Sequence, residues 1–264
     1  MGYSTQRKSK FYAKEVYGIC KIPTNYAGSC PAPQTTEYTK NILPEMFYGF
    51  YNADNGGSGF DIGIRLDTGG SWVAFAYGTS GILAQADAKA TFKSALSPGN
   101  TIYMKLWIQS GKVYLNVSKT GYEGTDLLNS PFQVGISNTT FANRANSGAA
   151  GYKINRELAI ANGSAVANTY ETSGCYMLNA EFLQHGYVTT SGQTYIWTDA
   201  NSAVHLASSQ EAFLPSNTAT GRIIRIRKDY AQVNTNRIKV LSRTDGANGA
   251  TEKVSIDFRS TPQI

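Results

Sequence analysis

Residues Gly49–Gly78 read GFYNADNGGSGFDIGIRLDTGGSWVAFAYG, and how they are read decides the fold. Within them, Phe60-Asp61-Ile62-Gly63-Ile64-Arg65-Leu66-Asp67 alternates between apolar and polar or small residues. Side chains of a strand point to opposite faces in turn. Phe60, Ile62, Ile64 and Leu66 are therefore expected on a buried face, and Asp61, Gly63, Arg65 and Asp67 on the other. The preceding NADNGGSG reads as a strand connection, because Asn and Gly supply the positive φ that tight turns need. Two site-like readings of the same segment fail. Counted from Asn52 as an EF-hand loop, Gly57 falls at the required sixth position. The fifth is Gly56, however, and the twelfth is Gly63, where a bidentate Glu is needed. A phosphate-binding Gly57-x-Gly59 continues into Ile62 instead of a third glycine, and no helical pattern follows. A calcium site of another kind on Asp54 and Asp61 stays open, since calcium asks only for flexible oxygen ligands. Beyond that, no metal and no cofactor is expected.

The same period of two recurs along the chain. In TIYMKLWIQ, Ile102, Met104, Leu106 and Ile108 share one face, and Tyr103, Lys105, Trp107 and Gln109 the other. KVYLNVSKT follows after Ser110-Gly111, a hairpin signal, with Val113, Leu115 and Val117 on its apolar side. Short strand-like runs punctuated by Gly, Asn and Ser continue to EKVSIDF near the end. The prediction is an all-β fold, an antiparallel two-sheet β-sandwich of the jelly-roll, concanavalin A-like kind, as one domain over residues 47–264. Residues 1–46 are expected to form an N-terminal arm or an early strand. The segment 137–149 is expected to be a loop, and HLASSQEAFLPS, 205–216, one or two helical turns.

Composition fits an exported β protein. Of 264 residues only 16% are charged while 41% are hydrophobic, with 26 Gly and 17 Tyr. That is fewer charges than the usual quarter. The formal net charge of +6 suits a polysaccharide or other anionic extracellular polymer as partner. Nucleic acid is not favoured. No run of about 18 apolar residues is present to form a transmembrane segment. The basic start MGYSTQRKSKF is not followed by the apolar stretch of a signal peptide, so Met1-Gly2 reads as a start ahead of a mature exported chain. Of the three cysteines, Cys20 and Cys30 are ten residues apart and are expected to close a disulfide in an oxidising compartment, leaving Cys175 as a small buried apolar group.

The candidate functional residues come from chemistry rather than from a motif. Asp61 and Arg65 pair with each other, or contact a ligand if their face is open. Tyr103, Trp107, Tyr195 and Trp197 alternate opposite apolar positions and could present aromatic platforms to sugar rings, or close the ends of the core. For catalysis a glycosidase needs two carboxylates. Glu181, four residues before His185, is the first candidate, with Glu157, Glu171 and Asp199 behind it. No Gly-x-Ser-x-Gly elbow is present, and His185 is otherwise a half-buried loop histidine. GRIIRIRKDY places Arg225 and Arg227 on one side of a strand, as a stripe for an anionic polymer or as a solvated edge.

The order FYGFYNADNGGSGFDIGIRLDTGGSWVAFAYG, TIYMKLWIQSGKVYLNV and GYKINRELAIANG, over roughly residues 47–200, resembles the bacterial secreted proteins called YrpD-like. It is also similar to the wider concanavalin A-like lectin/glucanase sandwiches. The resemblance implies a two-sheet jelly roll with one concave face on an exported protein, and brings no activity with it. The glutamic peptidases share such a jelly roll and use a Gln/Glu pair, for which Glu181 with Gln184 or Gln193 is the local echo. The leading expectation is a carbohydrate-binding secreted protein without catalysis. The alternatives are a jelly-roll glycoside hydrolase, polysaccharide lyase or glutamic-type peptidase, and a structural or adhesive surface protein.

Overall fold

The computed structural model describes residues 2–9, 12–27, 43–52, 58–79, 81–119, 126–144, 151–161, 174–198, 202–203, 211–213, 223–227, 238–244 and 251–263. The alternating segments form strands throughout. In chain order they are β1 (Gly2–Ser9), β2 (Ala13–Lys21), β3 (Asn25–Tyr26), β4 (Leu43–Tyr51), β5 (Gly59–Leu66) and β6 (Trp72–Gly78). There follow β7 (Asp87–Thr91), β8 (Thr101–Gln109), β9 (Lys112–Ser118) and β10 (Phe132–Gly135). A short helix α1 (Thr139–Asn143) precedes β11 (Lys153–Ala161), β12 (Tyr176–Thr189) and β13 (Thr194–Ile196). The last are β14 (Ser202–Ala203), β15 (Glu211–Phe213), β16 (Ile223–Arg227), β17 (Ile238–Thr244) and β18 (Thr251–Asp257).

These strands make two antiparallel sheets packed face to face. Sheet A runs β15-β16-β1-β11-β4-β5-β6-β7, with β14 on β1. Sheet B runs β10-β9-β8-β2-β12-β18-β17, with β13 and β3 on β12. The segment expected to be an arm or an early strand thus supplies an inner strand to each sheet: β1 lies beside β11, and β2 lies between β8 and β12. Gly49–Gly78 forms the β4-β5-β6 meander, with Tyr51 paired to Gly59 across the NADNGGSG connection. Ser110 and Gly111 both take positive φ, 50° and 71°, as the two-residue turn between β8 and β9 requires.

The core lies between the sheets. From sheet A it takes Met46, Tyr48, Phe50, Phe60, Ile62, Ile64 and Leu66, and from sheet B Ile102, Met104, Leu106, Val113, Leu115 and Val117. The expected inward sets of β5, β8 and β9 are all buried there. Two local expectations are corrected. The segment 137–149 carries the helix α1, capped by Asn138 Oδ1 accepting from Phe141 N at 2.8 Å, so that Phe141 and Ala142 reach the core. Where helical turns were expected at 205–216, Glu211–Phe213 is strand β15, paired with β16; the other residues of that segment lie outside the described ones.

The cysteine pairing also differs. Cys20 is a free thiol with no exposure, and Cys175 is disulfide-bonded. Cys20 sits on the inward side of β2, where alternation buries it with its Sγ 3.7 Å from His185 Nε2. Cys30 lies outside the described residues.

One core feature was not expected. On β11 the inward positions are Ile154, Arg156, Leu158 and Ile160, so a guanidinium enters the apolar layer. Arg156 Nη2 is 3.7 Å from Glu252 Oε2 of β18, and both side chains are essentially without exposure. The guanidinium also lies over the rings of Phe182 at 5.2 Å and Trp197 at 5.7 Å. Removing one partner of such a pair strands the other charge in a low dielectric. Arg156→Met should cost about 3–5 kcal/mol in urea unfolding, and the double change with Glu252→Met should recover most of the loss. Equal stability of the single variant and the parent protein would refute this account of the core.

Candidate functional site

The face of sheet A turned away from the core carries a second, polar population. Read across the sheet, one row is Lys8, Asn155, Gly49, Asp61, Tyr77 and Asp87. The next is Gln6, Glu157, Phe47, Gly63, Phe75 and Lys89, and the third is Ser4, Ala159, Glu45, Arg65, Val73 and Thr91. Four carboxylates therefore stand on neighbouring rows of one face: Asp61, Glu157 and Glu45, with Asp87 at the sheet edge. The face is not an open solvated surface. Asn155 is 1% exposed and Glu157 7%, and Phe47, Phe75 and Ala159 form a small buried apolar cluster around Glu157, with Tyr77 packed on it. Asp61 and Glu45 are half-buried.

The geometry around Asp61 is specific. Tyr51 Oη donates to Asp61 Oδ1 at 2.6 Å. Gly49 makes this contact possible, since a Cβ there would fall 2.4 Å from the Tyr51 ring and 2.7 Å from Asp61 Oδ1. The expected pairing of Asp61 with Arg65 does not occur. Arg65 Nη2 donates instead to Asp87 Oδ1 at 2.9 Å, its guanidinium covers the Phe75 ring at 5.1 Å, and it faces Glu45 across the strand pair. Asp67 pairs with Lys89 at 2.9 Å. Asp61 thus has a hydroxyl for a partner and carboxylates for charged neighbours.

The electrostatic result follows. Burial, then the charge of Glu157, push the Asp61 carboxyl up to about 8 against the lowering hydrogen bond from Tyr51. Burial likewise pushes Glu45 up to about 7, opposed by Arg65 and reinforced by Glu157 and Asp87. Burial and the neighbouring carboxylate thus favour the form of Asp61 that carries a proton. With Oδ1 accepting from Tyr51, that proton belongs on Oδ2. Asn155, in the same row as Asp61, leaves its buried Oδ1 without a hydrogen-bond partner. Leaving such a group unpaired costs about 1–3 kcal/mol.

The other candidates are dispersed. Glu181 lies on the far side of sheet B, paired to Lys21 at 3.3 Å and Lys253 at 3.7 Å. His185 is 2% exposed inside the core, with its ring against Phe182 and Tyr48 and its Nε2 3.7 Å from Cys20 Sγ. Strict alternation would place these two residues on one face. A register shift between Phe182 and His185 separates them, so they form no catalytic pair. A Cβ on Gly18 would come within 2.1 Å of the imidazole, so the ring fills the space glycine leaves. Burial pushes the Cys20 thiol far above its ordinary range, which removes it as a nucleophile. Gln184 and Gln193 are exposed and do not complete a pair with Glu181.

Among the aromatic candidates, Trp197 has no exposure and packs on Tyr187 and Arg156 in the core, so it meets no ligand. Tyr195 stacks half-buried on Tyr187. Tyr103 is 7% exposed, and Trp107 is half-buried on the outer face of sheet B. The side chains of Arg225 and Arg227, and residues Asp54, Glu171 and Asp199, lie outside the described ones. Among the described residues no group of three His, Cys, Asp or Glu is arranged to hold a metal, and no helix is long and apolar enough to cross a membrane.

No family model and no curated protein matches the chain. Among solved structures it is similar to scytalido-glutamic peptidase with a peptide-based transition-state analogue, at 12% identity and TM-score 0.49, over 97% of this chain and 98% of that one. A second structure of that peptidase, with a transition-state analogue inhibitor, aligns at 11% identity and TM-score 0.46 over the same shares. A functionally unknown protein from Saccharomyces cerevisiae aligns over 58% of this chain and 68% of its own, at 9% identity and TM-score 0.26.

The raised carboxyls make stability depend on pH. A folded-state pKa above the unfolded value means that the folded chain binds more protons, so this contribution is full below about pH 4 and is lost as pH rises towards 8. The melting temperature should therefore fall across that window. Asp61→Asn should flatten the slope, and Glu45→Gln should flatten its lower part. A slope unchanged in both variants would refute the assignment.

Proposed function

We propose that this protein is a hydrolase of an extracellular polymer, working by acid–base catalysis with Asp61 as the acid and Glu157 as the base. The observation that carries the reading is that Asp61, hydrogen-bonded to Tyr51, and Glu157 stand on neighbouring rows of one sheet face, where burial and the Glu157 charge raise the Asp61 carboxyl. An acid and a base of one residue type need unlike environments, and here burial raises the Asp61 carboxyl. Strands lie ~4.8 Å apart, so the backbones of β11 and β5, with β4 between them, are roughly 10 Å apart. Gly49 gives its Cβ space to the Tyr51 ring that holds Asp61. A separation of that order suits direct attack by water better than a covalent intermediate.

In this reading Glu157 takes a proton from the attacking water. Asp61 Oδ2 delivers its proton to the oxygen or nitrogen that leaves or gains charge. Tyr51 fixes the carboxyl and dictates which oxygen carries the proton. Arg65 favours the ionised form of Glu45 and offsets its charge. An exported location belongs to the same proposal. A disulfide-bonded Cys175 and a charge-poor composition support it.

A second reading, a carbohydrate-binding protein without catalysis, is favoured by the half-exposed Trp107 on the other sheet. The two are separated by incubating the protein with denatured protein substrates and with β-glucan, chitin and mannan polymers, and following release of new ends. One substrate class should be cleaved. Asp61→Asn and Glu157→Gln should each lower the rate by about 10²–10⁴-fold, the range for a lost general acid or base. Cleavage that survives both substitutions, or no cleavage of any polymer, would leave the binding reading in its place.

A further inference from the structure

The outer face of sheet B holds a second constellation that the carboxylate site does not use. Trp107 of β8 and Tyr114 of β9 are direct cross-strand partners, and their rings stack at 5.1 Å with only 7° between planes. Glu15 of β2 is the partner of Trp107 on the opposite side. Lys105 Nζ is 3.0 Å from Glu15 Oε1 and 5.9 Å from the centre of the Trp107 ring. Glu15, Tyr103, Lys105, Trp107 and Asn116 surround a shallow hollow of about 210 Å³. Asn116 Nδ2 donates to Asp126 at 2.8 Å, while its Oδ1 has no partner.

We infer that this hollow is a binding site for one ring of a neutral, gluco-configured saccharide. Three features select that chemistry. The chain has three tryptophans. Trp72 is 3% exposed and Trp197 is fully buried, which leaves Trp107, half-buried, as the indole with surface in reach of a ligand. A pyranose with equatorial hydroxyls has an apolar face of axial hydrogens that fits flat against an aromatic ring, and it carries hydroxyls around its edge. Glu15, Lys105 and Asn116 lie around the hollow where such hydroxyls would fall, offering a carboxylate, an ammonium and an amide. Because Glu15 and Lys105 already neutralise each other, the hollow has no net charge to draw an anion, and it favours a neutral sugar over a charged one. The support is rigid. β9 is paired with β8 over its whole length, and the other face of both strands is anchored in the core by Met104, Leu106, Val113 and Leu115.

The site is independent of the carboxylates on sheet A. If both proposals hold, it would keep the protein on a glycan while the other sheet works. The test uses cellohexaose, laminarihexaose and chitohexaose as probes. Tryptophan emission of the intact protein should shift saturably with at least one of them, since a single indole is available to contact it. Calorimetry with that oligosaccharide should then show at least tenfold weaker binding for Trp107→Ala. Glu15→Gln should also weaken binding, with the same circular dichroism and melting temperature as the parent. Asp61→Asn should bind as the parent does, which keeps this outcome separate from that of the hydrolase reading. No response to any of the three oligosaccharides at millimolar concentration would overturn the inference, as would undiminished binding by Trp107→Ala.

Discussion

The burial of Asp61 beside Glu157 is the constraint on which the functional account rests. Strand β5 is asked to do two incompatible things, and the period of two lets it do both. Its even positions, Phe60, Ile62, Ile64 and Leu66, complete the layer between the sheets. Its odd positions, Asp61, Gly63 and Arg65, look onto a face that is itself covered around Glu157 by Phe47, Phe75 and Ala159. A carboxyl on such a face cannot ionise cheaply, and a second carboxylate close by makes ionisation costlier still. The protein tolerates that cost because Tyr51 supplies a hydrogen bond to Asp61 and Arg65 a compensating charge to Glu45. Sites that strain the electrostatics of a stable fold are where chemistry is usually found.

The core contains a contrasting use of charge. Arg156 and Glu252 are buried as a pair, with aromatic rings around the guanidinium. A pair of opposite charges closed inside the core points to structure. Consecutive residues of one strand, Arg156 and Glu157, thus serve opposite ends: one faces the core and closes an ion pair, while the other faces away and lies near like charges.

Much of the fold was legible because alternation is a local property. The faces of β5, β8 and β9 could be assigned residue by residue, and Ser110-Gly111 announced its turn through the positive φ it adopts. What could not be read depended on partners distant in the chain. The register shift in β12 inverts His185 relative to Glu181, and no local pattern announces a bulge. Trp197 looks like an exposed platform by spacing alone, yet β13 hangs on β12 and the residue after it turns into the core. Asp61 was visible as a candidate, but Glu157 ranked among several acids because its proximity to Asp61 comes from β11 pairing with β4, a contact across about a hundred residues. The cysteines fail for the same reason: proximity in sequence favoured Cys20 with Cys30, whereas the inward register of β2 isolates Cys20.

The sandwich therefore presents two unlike faces. Sheet A offers paired acids in a partly desolvated setting, and sheet B offers a half-buried indole on a neutral, polar surround. The first is the central claim and can be read directly. A carbon-detected NMR titration of aspartate side chains, with Asp61 assigned from its loss in Asp61→Asn, should show that carboxyl titrating near pH 8, and closer to an ordinary aspartate once Glu157 is replaced by Gln. An Asp61 that titrates in the ordinary range near 4, indifferent to Glu157, would contradict the account.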